Sequence, residues 1–504
     1  MLPGVGTGWF DWLKGEGLRT YFNDHPFPTD NGTALQTSPA EVAFRHEGLT
    51  KWLANGLTYW WFDANWAFSI PPPNVQYGGS GDGADWEGMS NRVWGSHVYY
   101  DTVKMYNQNH PTRDHTAPMD RPMALTKYAD GNMHPGLVQH QHPAHHRFPV
   151  WWTGDGVDLE ASVESMVDSG VYDFKPYVHS DCGGDYRPKE GGDLLRWAAH
   201  CVFGTILRFH GSDHRPWTYG NHTEDVIRSY LDMRYKMLPS LIAAGHNAAA
   251  TAFPIVARCD LYWSQPEASS NHQYIHLNDT LVAPIWNSDK QRDGVNVSTR
   301  VVWVPPGTWT DAWTGEAVTG PKNLTVSQPV ERIPLWHRKG GLTILASEPT
   351  LRVDDQDWSE LTLEAFPHVD RSEQEQVTRR TLVDRGEAAA RTTVEMRTDI
   401  EAGELHFAIT QAEDKTERAW VLRVHLAPGQ SVSHVQALLQ GDDGAVLEAE
   451  VVAVRHLTAT AESEADGFTP FGGKGSRPAP RAGSVAELAL PASARARAVR
   501  LTLA

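Results

Sequence analysis

Residues 148–155 read FPVWWTGD, an apolar and aromatic run that closes on a glycine and an acidic residue. Aromatic and β-branched residues favour a strand, and a carboxylate at its end does not fit a hydrophobic core. Residues 57–62 repeat this pattern, because a second aromatic run is followed directly by Asp63. We therefore predict two strands that lead into Asp63 and Asp155.

Short strand-like runs alternate with stretches of helical periodicity from residue 9 to about residue 245. This alternation is typical of repeated β/α units and a parallel sheet. Six strands are predicted, near residues 18–23, 57–62, 122–126, 148–153, 173–180 and 205–209. Helices are predicted at residues 9–14, at 159–169, at 193–202, and from Thr223 as N-cap toward Gly245 with a kink at Pro239.

Polar or acidic residues follow most of these strands, at positions that a core would not accept. They are Asp24, Asp63, Asp155, Asp181, Asp185 and His210. In a parallel β/α barrel the carboxyl ends of the strands line one mouth, where catalytic groups lie. The sequence therefore predicts an α/β fold of the TIM-barrel type with its functional site at that mouth.

The helical signal fades after about residue 246, and strand alternation replaces it. Residues 280–348 alternate around predicted turns at 305–307 and 314–315, and the remainder of the chain alternates again. We predict three domains: a partial catalytic barrel at 1–245 with a loop insertion at about 71–120, a proximal β-sandwich at 246–348, and a distal β-rich domain at 349–504.

The composition restricts the classes of partner. The chain has 504 residues and a formal net charge of −18, which would repel a phosphate backbone, so nucleic acid is not expected. No run of about 18 apolar residues occurs, and we expect no membrane span. A small-molecule or oligosaccharide substrate is compatible with the charge, because neutral sugars are indifferent to it. The sequence leaves the oligomeric state open.

The cysteines and the first residues bear on the compartment. The sequence has three cysteines, Cys182, Cys201 and Cys259, and no two of them form a CxxC pair. We therefore predict buried thiols and neither a disulfide framework nor a zinc site. The opening MLPGVGTGWFDWL lacks a basic segment followed by an apolar core. This predicts no signal peptide and favours a cytoplasmic location.

Asp63 and Asp155 are candidates for a catalytic carboxylate pair. Hydrolysis of a glycosidic bond needs one carboxylic acid to protonate the leaving oxygen and one carboxylate to attack the anomeric carbon or to activate water. Neighbouring aromatic rings can raise the pKa of a carboxyl group by desolvation. A single aspartate can equally be a helix N-cap or a loop residue, but two with matching aromatic settings favour chemistry.

Seven motifs resemble, in the same order, those of glycoside hydrolase family 31. They are WWFDANW, HRFPVWWTGD, SDCGGD, LRFH, IRSYLDMRYKMLPSL, LNDTLVAPIW and VPPGTWTDAWTG. The resemblance covers residues 9–348, and the ordered set is more specific than any one motif. It implies a (β/α)8 barrel followed by two β-sandwich domains, and exo-acting hydrolysis of α-glycosides with retention of configuration.

The resemblance also implies roles for individual residues. Asp63 matches the family's nucleophile and Asp155 its general acid/base, and no metal or organic cofactor is implied. Trp61 and Trp152 match aromatic residues that wall the sugar site, although ordinary core packing stays an alternative for both. The other substrate-binding positions implied in this way are Lys127, Arg147, Asp181, Asp185 and His210.

The chain departs from the family pattern around these positions. The common glucosidase form at the nucleophile is close to WxDMNE, whereas Ala64 and Trp66 occupy the Met and Glu positions here. Asp185 stands where many members carry an aromatic residue, and Lys127 stands near the place of a sugar-binding arginine. We therefore expect a substrate other than plain maltose-type glucosides.

A group of histidines precedes the predicted acid/base strand. Its members are His134, His140, His142, His145 and His146. Because no carboxylate or cysteine pattern accompanies them, we expect loop or surface residues rather than a metal site.

The number of predicted strands is smaller than a closed barrel requires. Six are predicted where the fold has eight, so we expect an N-terminally incomplete member of the family. Two alternatives to an active glycosidase stay open: a carbohydrate-binding homologue without turnover, and a partial product with no stable fold of its own.

Overall fold

A computed structural model gives the conformation of most of the chain. The described residues are 7–24, 39–62, 91–110, 124–126, 150–153, 157–172, 175–184, 190–211, 214–286, 290–292, 295–368, 377–384, 391–411, 418–427, 429–440, 446–449, 455–457, 484–490 and 496–503. They belong to two compact units. The first comprises Met1–Val157, Asp168–Asp181 and Arg385–Glu387, and the second comprises Asp158–Val167, Cys182–Asp384 and Ala388–Ala504.

The α-helices of the described residues lie in the first half of the chain, as its periodicity predicts. They are α1 (Thr7–Gly15), α2 (Pro39–Ala54), α3 (Asn91–Asn109), α4 (Leu159–Tyr172), α5 (Gly191–Val202), α6 (Asn221–Lys236) and α7 (Leu238–Thr251). The helices predicted at 9–14, 159–169 and 193–202 are confirmed as α1, α4 and α5.

The predicted long helix from Thr223 differs in detail from α6 and α7. Gly220 is the N-cap of α6, whereas Thr223 is a buried residue of its first turn, so the predicted N-cap is wrong. The first helix ends at Lys236, and Pro239 lies in the first turn of the next one. Proline is tolerated there because the first N–H groups of a helix have no intrahelical acceptor.

One parallel sheet forms the centre of the first unit. Its strands are β1 (Tyr21–Asp24), β2 (Tyr59–Phe62), β3 (Ala124–Thr126), β4 (Val150–Trp152) and β5 (Tyr177–His179). They pair in sequence order, and each pair is parallel. Five of the six predicted strands are thus confirmed. The sixth, at 205–209, is wrong, because Phe209 forms only an isolated bridge with Cys182.

A buried apolar cluster joins helices and sheet in the first unit. Leu49 and Leu53 lie four residues apart on α2, and Tyr99 and Val103 repeat that spacing on α3. Trp60 of β2 packs in the same cluster. Residues spaced by four share one face of a helix, so both helices present an apolar face to this cluster.

A second sheet, antiparallel, follows the helices in the second unit. Its strands are β6 (Val256–Ala257), β7 (Tyr274–His276), β8 (Thr280–Val282), β9 (Lys290–Arg292), β10 (Val295–Asp311), β11 (Ala317–Pro329) and β12 (Leu335–Arg338). The order is β11-β10-β12-β8-β7-β6, and β9 pairs with β10.

The two predicted turns of this region have different outcomes. Gly315, with φ 72°, ends the turn between β10 and β11, and its N–H donates to the carbonyl oxygen of Asp311. Residues 305–307 instead lie inside β10, where the pairing register shifts between Val304 and Gly307. The prolines supply no N–H to the sheet, which suits a β-bulge as well as a turn.

Two further sheets contain the remaining strands. They are β13 (Gly341–Ala346), β14 (Glu360–Phe366), β15 (Val377–Val383), β16 (Arg391–Asp399), β17 (Glu404–Gln411), β18 (Ala419–Leu426), β19 (Val432–Gln440), β20 (Val446–Ala449), β21 (Arg455–Leu457), β22 (Ser484–Leu490) and β23 (Ala496–Leu503). One sheet runs β13-β14-β18-β22-β21, and the other runs β15-β16-β17-β23-β19-β20.

Strand alternation in this last region produces a single core. Trp420 and Leu422 alternate with partly exposed residues along β18, and Val394 and Met396 do so along β16. All four belong to one buried cluster that draws residues from both sheets. Successive side chains of a strand point to opposite faces, so one apolar face of each sheet covers the other.

The cysteines correct one prediction and confirm another. Cys182 and Cys201 form a disulfide with a Cα–Cα distance of 6.4 Å. Cys259 is a buried free thiol, as predicted, and burial raises its pKa to about 12. The prediction of free thiols is wrong for Cys182 and Cys201, because the fold, and not their spacing in the sequence, brings α5 beside Cys182.

Several buried histidines make stability depend on pH. Burial lowers the pKa of His200 to about 4 and that of His276 and His337 to about 3. Between pH 6.5 and these values the unfolded chain binds protons that the folded chain does not. The free energy of unfolding therefore falls as the pH drops through this window.

Replacing His276 should remove part of this pH dependence. His276→Gln should reduce the loss of unfolding free energy between pH 7 and pH 5 by about 2 kcal/mol, because glutamine does not titrate. Urea unfolding at the two pH values, followed by tryptophan fluorescence, measures the change. His222→Gln is the control, since the His222 side chain is 70% exposed. An equal pH dependence in both variants would contradict the prediction.

Candidate active site

The carboxyl ends of neighbouring parallel strands place several candidate residues at one edge of the sheet. Phe62 at the end of β2 pairs with Thr126 at the end of β3, and Trp152 at the end of β4 pairs with His179 at the end of β5. Polar groups that follow such ends in the chain share one rim. The described part of the chain includes the candidates Trp61, Trp152, Asp181 and His210, whereas Asp63, Lys127, Arg147, Asp155 and Asp185 lie outside it.

Trp61 and Trp152 form the aromatic part of this edge. Both indole rings are buried, and their centroids lie 4.8 Å apart in an edge-to-face arrangement. Tyr21 of β1 extends the group, with its ring centroid 5.8 Å from that of Trp61. Edge-to-face packing places the positive rim of one ring on the negative face of the other. The two tryptophans therefore fix each other's orientation next to the ends of β2 and β4.

Asp181 is joined to this aromatic group by a buried hydrogen bond. The indole Nε1 of Trp152 donates to Asp181 Oδ1 over 2.8 Å, and both side chains are almost fully buried. A parallel contact links Thr153 Oγ1 to Ser180 Oγ over 2.8 Å. A buried carboxylate needs such donors to offset its lost hydration. The structure thus brings Trp61, Trp152 and Asp181 together, as their assignment to one site requires.

His210 lies in the second unit, beside the glycine turn that follows Cys182. Its backbone N–H donates to the Cys182 carbonyl oxygen over 3.3 Å, and the Cys182 N–H donates to the Arg208 carbonyl oxygen over 3.0 Å. The Cys182–Cys201 disulfide ties the same turn to α5. His210 is consequently held by the main chain of this turn.

His214 is a residue of this region that the sequence analysis missed. Its ring is 1% exposed and bonds through Nδ1 to the His210 carbonyl oxygen. Gly183 (φ 103°) and Gly211 (φ 113°) both adopt left-handed conformations around it. A Cβ atom would lie 2.4 Å from His214 Nδ1 at Gly183 and 2.6 Å from it at Gly211. The two glycines are therefore required by the imidazole that fills the space between them.

Asp24 has a structural role, although it also stands at the carboxyl end of a strand. Its carboxylate accepts a hydrogen bond from the Tyr99 hydroxyl and lies 3.9 Å from the Arg45 guanidinium. Burial, together with the Asp24 charge, raises the pKa of Tyr99 well above its usual value. Asp24 thus connects β1 to α3 and α2.

A group of potential metal ligands occurs elsewhere among the described residues. Donor atoms of Glu160, Glu164 and His272 lie within 4.8 Å of one another. His272 Nε2 lies 2.8 Å from Glu164 Oε1, so the same atoms already form an ion pair when the histidine is protonated. The histidine-rich stretch at 134–146 lies outside the described residues.

The parallel sheet with functional candidates at one edge is an α/β arrangement, and sequence comparison identifies the family. Residues 20–244 match the model of the glycosyl hydrolases family 31 TIM-barrel domain, and residues 255–343 match the family 31 C-terminal domain. Together the two matches cover more than half of the chain. The chain belongs to glycosyl hydrolase family 31.

Curated relatives include several α-glycosidases. Alpha-glucosidase 2 of Bacillus thermoamyloliquefaciens is 26% identical over 211 residues, which are 40% of this chain and 26% of that protein. The alpha-xylosidase of Saccharolobus solfataricus is 24% identical over 232 residues, which are 43% of this chain and 30% of that protein. The aligned segments thus span less than a third of these relatives.

Solved structures of the family share the fold. A dextranase of Flavobacterium johnsoniae, complexed with isomaltotriose, superposes with a TM-score of 0.67 at 17% identity and covers 98% of this chain and 63% of its own. The endoplasmic-reticulum glucosidase II complex superposes with a TM-score of 0.71 at 17% identity, and the match covers 98% of this chain and 55% of that chain.

None of the described helices is long and apolar enough to span a membrane.

Adding a methyl group at Gly183 should lower the free energy of unfolding more than adding one at a glycine that has no neighbouring atoms in the way. Gly183→Ala should combine backbone strain of about 1–2 kcal/mol with an overpacking cost of about 1–3 kcal/mol against His214. Gly220→Ala is the control, because a Cβ added at Gly220 (φ 90°) would have no neighbour within 4 Å. Urea unfolding would measure both, and His214→Ala should relieve part of the Gly183→Ala cost in a double-mutant cycle.

Trp152→Phe should lower the free energy of unfolding by about 1–3 kcal/mol. The phenyl ring keeps most of the packing, but the buried Asp181 carboxylate loses a hydrogen-bond donor. The control is Trp217→Phe, at a side chain that is 64% exposed. Equal stability of the two variants in thermal unfolding would refute a stabilising role for the Nε1 bond.

Proposed function

We propose that this protein removes terminal α-linked sugars from glycosides or oligosaccharides by a retaining double displacement. Asp63 is the nucleophile and Asp155 is the general acid/base in this proposal. The observation that supports it best is the contact between Trp61 and Trp152 on parallel strands, since the two aspartates follow those strands in the chain. Family membership supports the same reaction class.

The proposed reaction has two steps. The Asp63 carboxylate attacks the anomeric carbon while Asp155 gives its proton to the departing glycosidic oxygen, so that a glycosyl ester forms and the leaving sugar departs. Water then attacks the same carbon, and Asp155 takes a proton from it as the ester bond to Asp63 breaks. Two inversions give net retention.

The described neighbours would prepare this site in two ways. Trp61 and Trp152 are buried, so in this proposal they form a rigid apolar layer behind the sugar site and keep water away from that side of it. Asp181 holds the Trp152 indole by its Nε1 bond, so we assign it first to the orientation of that ring. The remaining proposed sugar contacts are Lys127, Arg147, Asp185 and His210.

The domain proposal follows the order of the sheets. We assign residues 1–245 to a (β/α)8-type catalytic barrel, 246–348 to a proximal β-sandwich and 349–504 to a distal β-rich domain. The parallel sheet, the β6–β12 sheet and the pair of sheets with a common core support this division.

Asp63→Ala should abolish turnover of chromogenic α-glycosides. The substitution removes the attacking carboxylate, so no glycosyl ester can form. Initial rates on a panel of nitrophenyl α-glycosides measure the effect. Asp11→Ala is the control, because Asp11 is exposed on α1. Near-normal activity of Asp63→Ala would disprove the assignment.

Asp155→Ala should separate protonation of the leaving group from nucleophilic attack. Loss of the acid should slow substrates with poor leaving groups by roughly 10²–10⁴-fold, whereas activated glycosyl fluorides should retain much of their first-step rate. A comparison of kcat/KM for the two substrate types measures this difference. Saccharide binding by calorimetry without turnover of any substrate would favour the carbohydrate-binding alternative.

A further inference from the structure

A polar cleft lies in the second unit, at residues that the proposed reaction does not use. Its volume is about 730 Å³, within the range of small-molecule sites. Its basic walls come from the end of β12 and the start of β15, with Arg338, Lys339, Arg379 and Arg380. Among the described lining residues, Asp279 is the acidic one. A cationic cleft is notable in a chain whose net charge is −18.

Two of these cations already have carboxylate partners. Arg380 bonds to Asp279, whose Oδ2 also accepts the Leu342 N–H over 3.1 Å. Arg379 Nε lies 2.6 Å from Glu395 Oε2, and its side chain is exposed at the rim. Asp279 is 6% exposed. The acidic group of the lining is thus neutralised within the wall and does not cancel the remaining positive charge.

Arg338 is placed differently. Its guanidinium carbon lies 5.5 Å from the centroid of the Trp263 ring, and it forms no ion pair with a carboxylate of the described residues. The indole covers one face of the guanidinium and leaves its N–H edge for another acceptor. The planar edge of an arginine matches the two oxygens of a carboxylate or phosphate. Arg338 is therefore prepared to receive an oxyanion.

The opposite lining is polar and ordered. The Tyr262 hydroxyl donates to Asn278 Oδ1 over 3.1 Å, and Asn278 adopts a left-handed conformation with φ 72°. Gly340 permits a close approach on the neighbouring wall, because a Cβ there would lie 2.2 Å from His368 Nε2. The phenol and amide can bond the hydroxyl groups of a polar ligand.

We propose that this cleft binds a small polar oxyanion, a carboxylate or phosphate carried on a hydroxylated molecule, with Arg338 as its main ligand. The occupied cleft would give Arg338 the anionic partner that the described chain does not supply. The proposal for this cleft assigns no role to Asp63 or Asp155, so its test is separate from the test of the glycosidase proposal.

Calorimetric titration of the full chain tests the proposal. The probes are glucuronate for the carboxylate, glucose 6-phosphate and inorganic phosphate for the phosphate, and glucose as the uncharged control. We expect saturable binding of at least one acidic probe, no comparable binding of glucose, and weaker binding as salt is raised. Which acidic probe binds more tightly identifies the preferred oxyanion. Binding of none would overturn the proposal.

Arg338→Met locates the binding. This variant keeps an apolar stem against Trp263 and should weaken binding at least ten-fold, in line with the loss of a charged hydrogen bond. The matched control is Arg352→Met, which removes an equal charge from an arginine bonded to Asp355 over 2.6 Å. Binding that is unchanged by Arg338→Met, or equally weakened by Arg352→Met, would overturn the assignment.

Two further variants separate the loss of the Arg338 contact from misfolding of the variant and from binding at the proposed active site. Arg338→Lys keeps the charge but loses the planar edge, so it should give intermediate binding and serves if Arg338→Met does not fold. Asp63→Ala should leave binding unchanged, because the proposal assigns that residue to the glycosidase reaction and assigns the oxyanion to Arg338. Loss of binding in Asp63→Ala would show that the probe occupies the proposed active site and would also overturn the proposal.

Discussion

The proposed site depends on one constraint, the parallel pairing of each strand with the next in the series from β1 to β5. Parallel strands have their carboxyl ends at one edge, so residues far apart in the chain come together there. The register brings the ends of β4 and β5 side by side, and that pairing allows Trp152 to donate its hydrogen bond to Asp181. Without a shared edge, the aromatic runs before Asp63 and Asp155 would be unrelated features of the sequence.

Close packing restricts the conformation of the turn around Cys182. His214 occupies space that side chains at Gly183 and Gly211 would fill, and the disulfide to Cys201 restrains the same turn. A buried imidazole between two glycines leaves little room for other conformations, because interiors are packed as densely as organic crystals. The turn beside His210 is thus defined by contacts with α5, through Cys201, and with the segment that contains His210 and His214.

The second half of the chain shows how charge is distributed in an acidic protein. Strand alternation buries apolar residues in a core common to two sheets, and several charged groups pair between neighbouring strands. Burial by itself would raise the pKa of Glu364, but the charges of Arg423 and His425 outweigh it and lower that pKa to about 2. Among the described residues, Arg338 has an aromatic ring as neighbour and no paired carboxylate, which distinguishes its cleft from these pairs.

The sequence by itself determined the class of fold, five parallel strands, the main helices and the strand alternation of residues 405–409 and 419–426. These features follow from local periodicity, which depends only on residues close together in the chain. The family resemblance also predicted Trp61, Trp152 and Asp181 for one site. Their side chains are in contact, but their roles, like those of Asp63 and Asp155, stay predictions. Only the tertiary structure decided the Cys182–Cys201 bond, the role of His214 and the bulge at 305–307. It also reduced the predicted strand at 205–209 to a single bridge. These outcomes depend on which distant segments meet, because a disulfide, a packed ring or a strand pair needs a partner that local sequence does not specify.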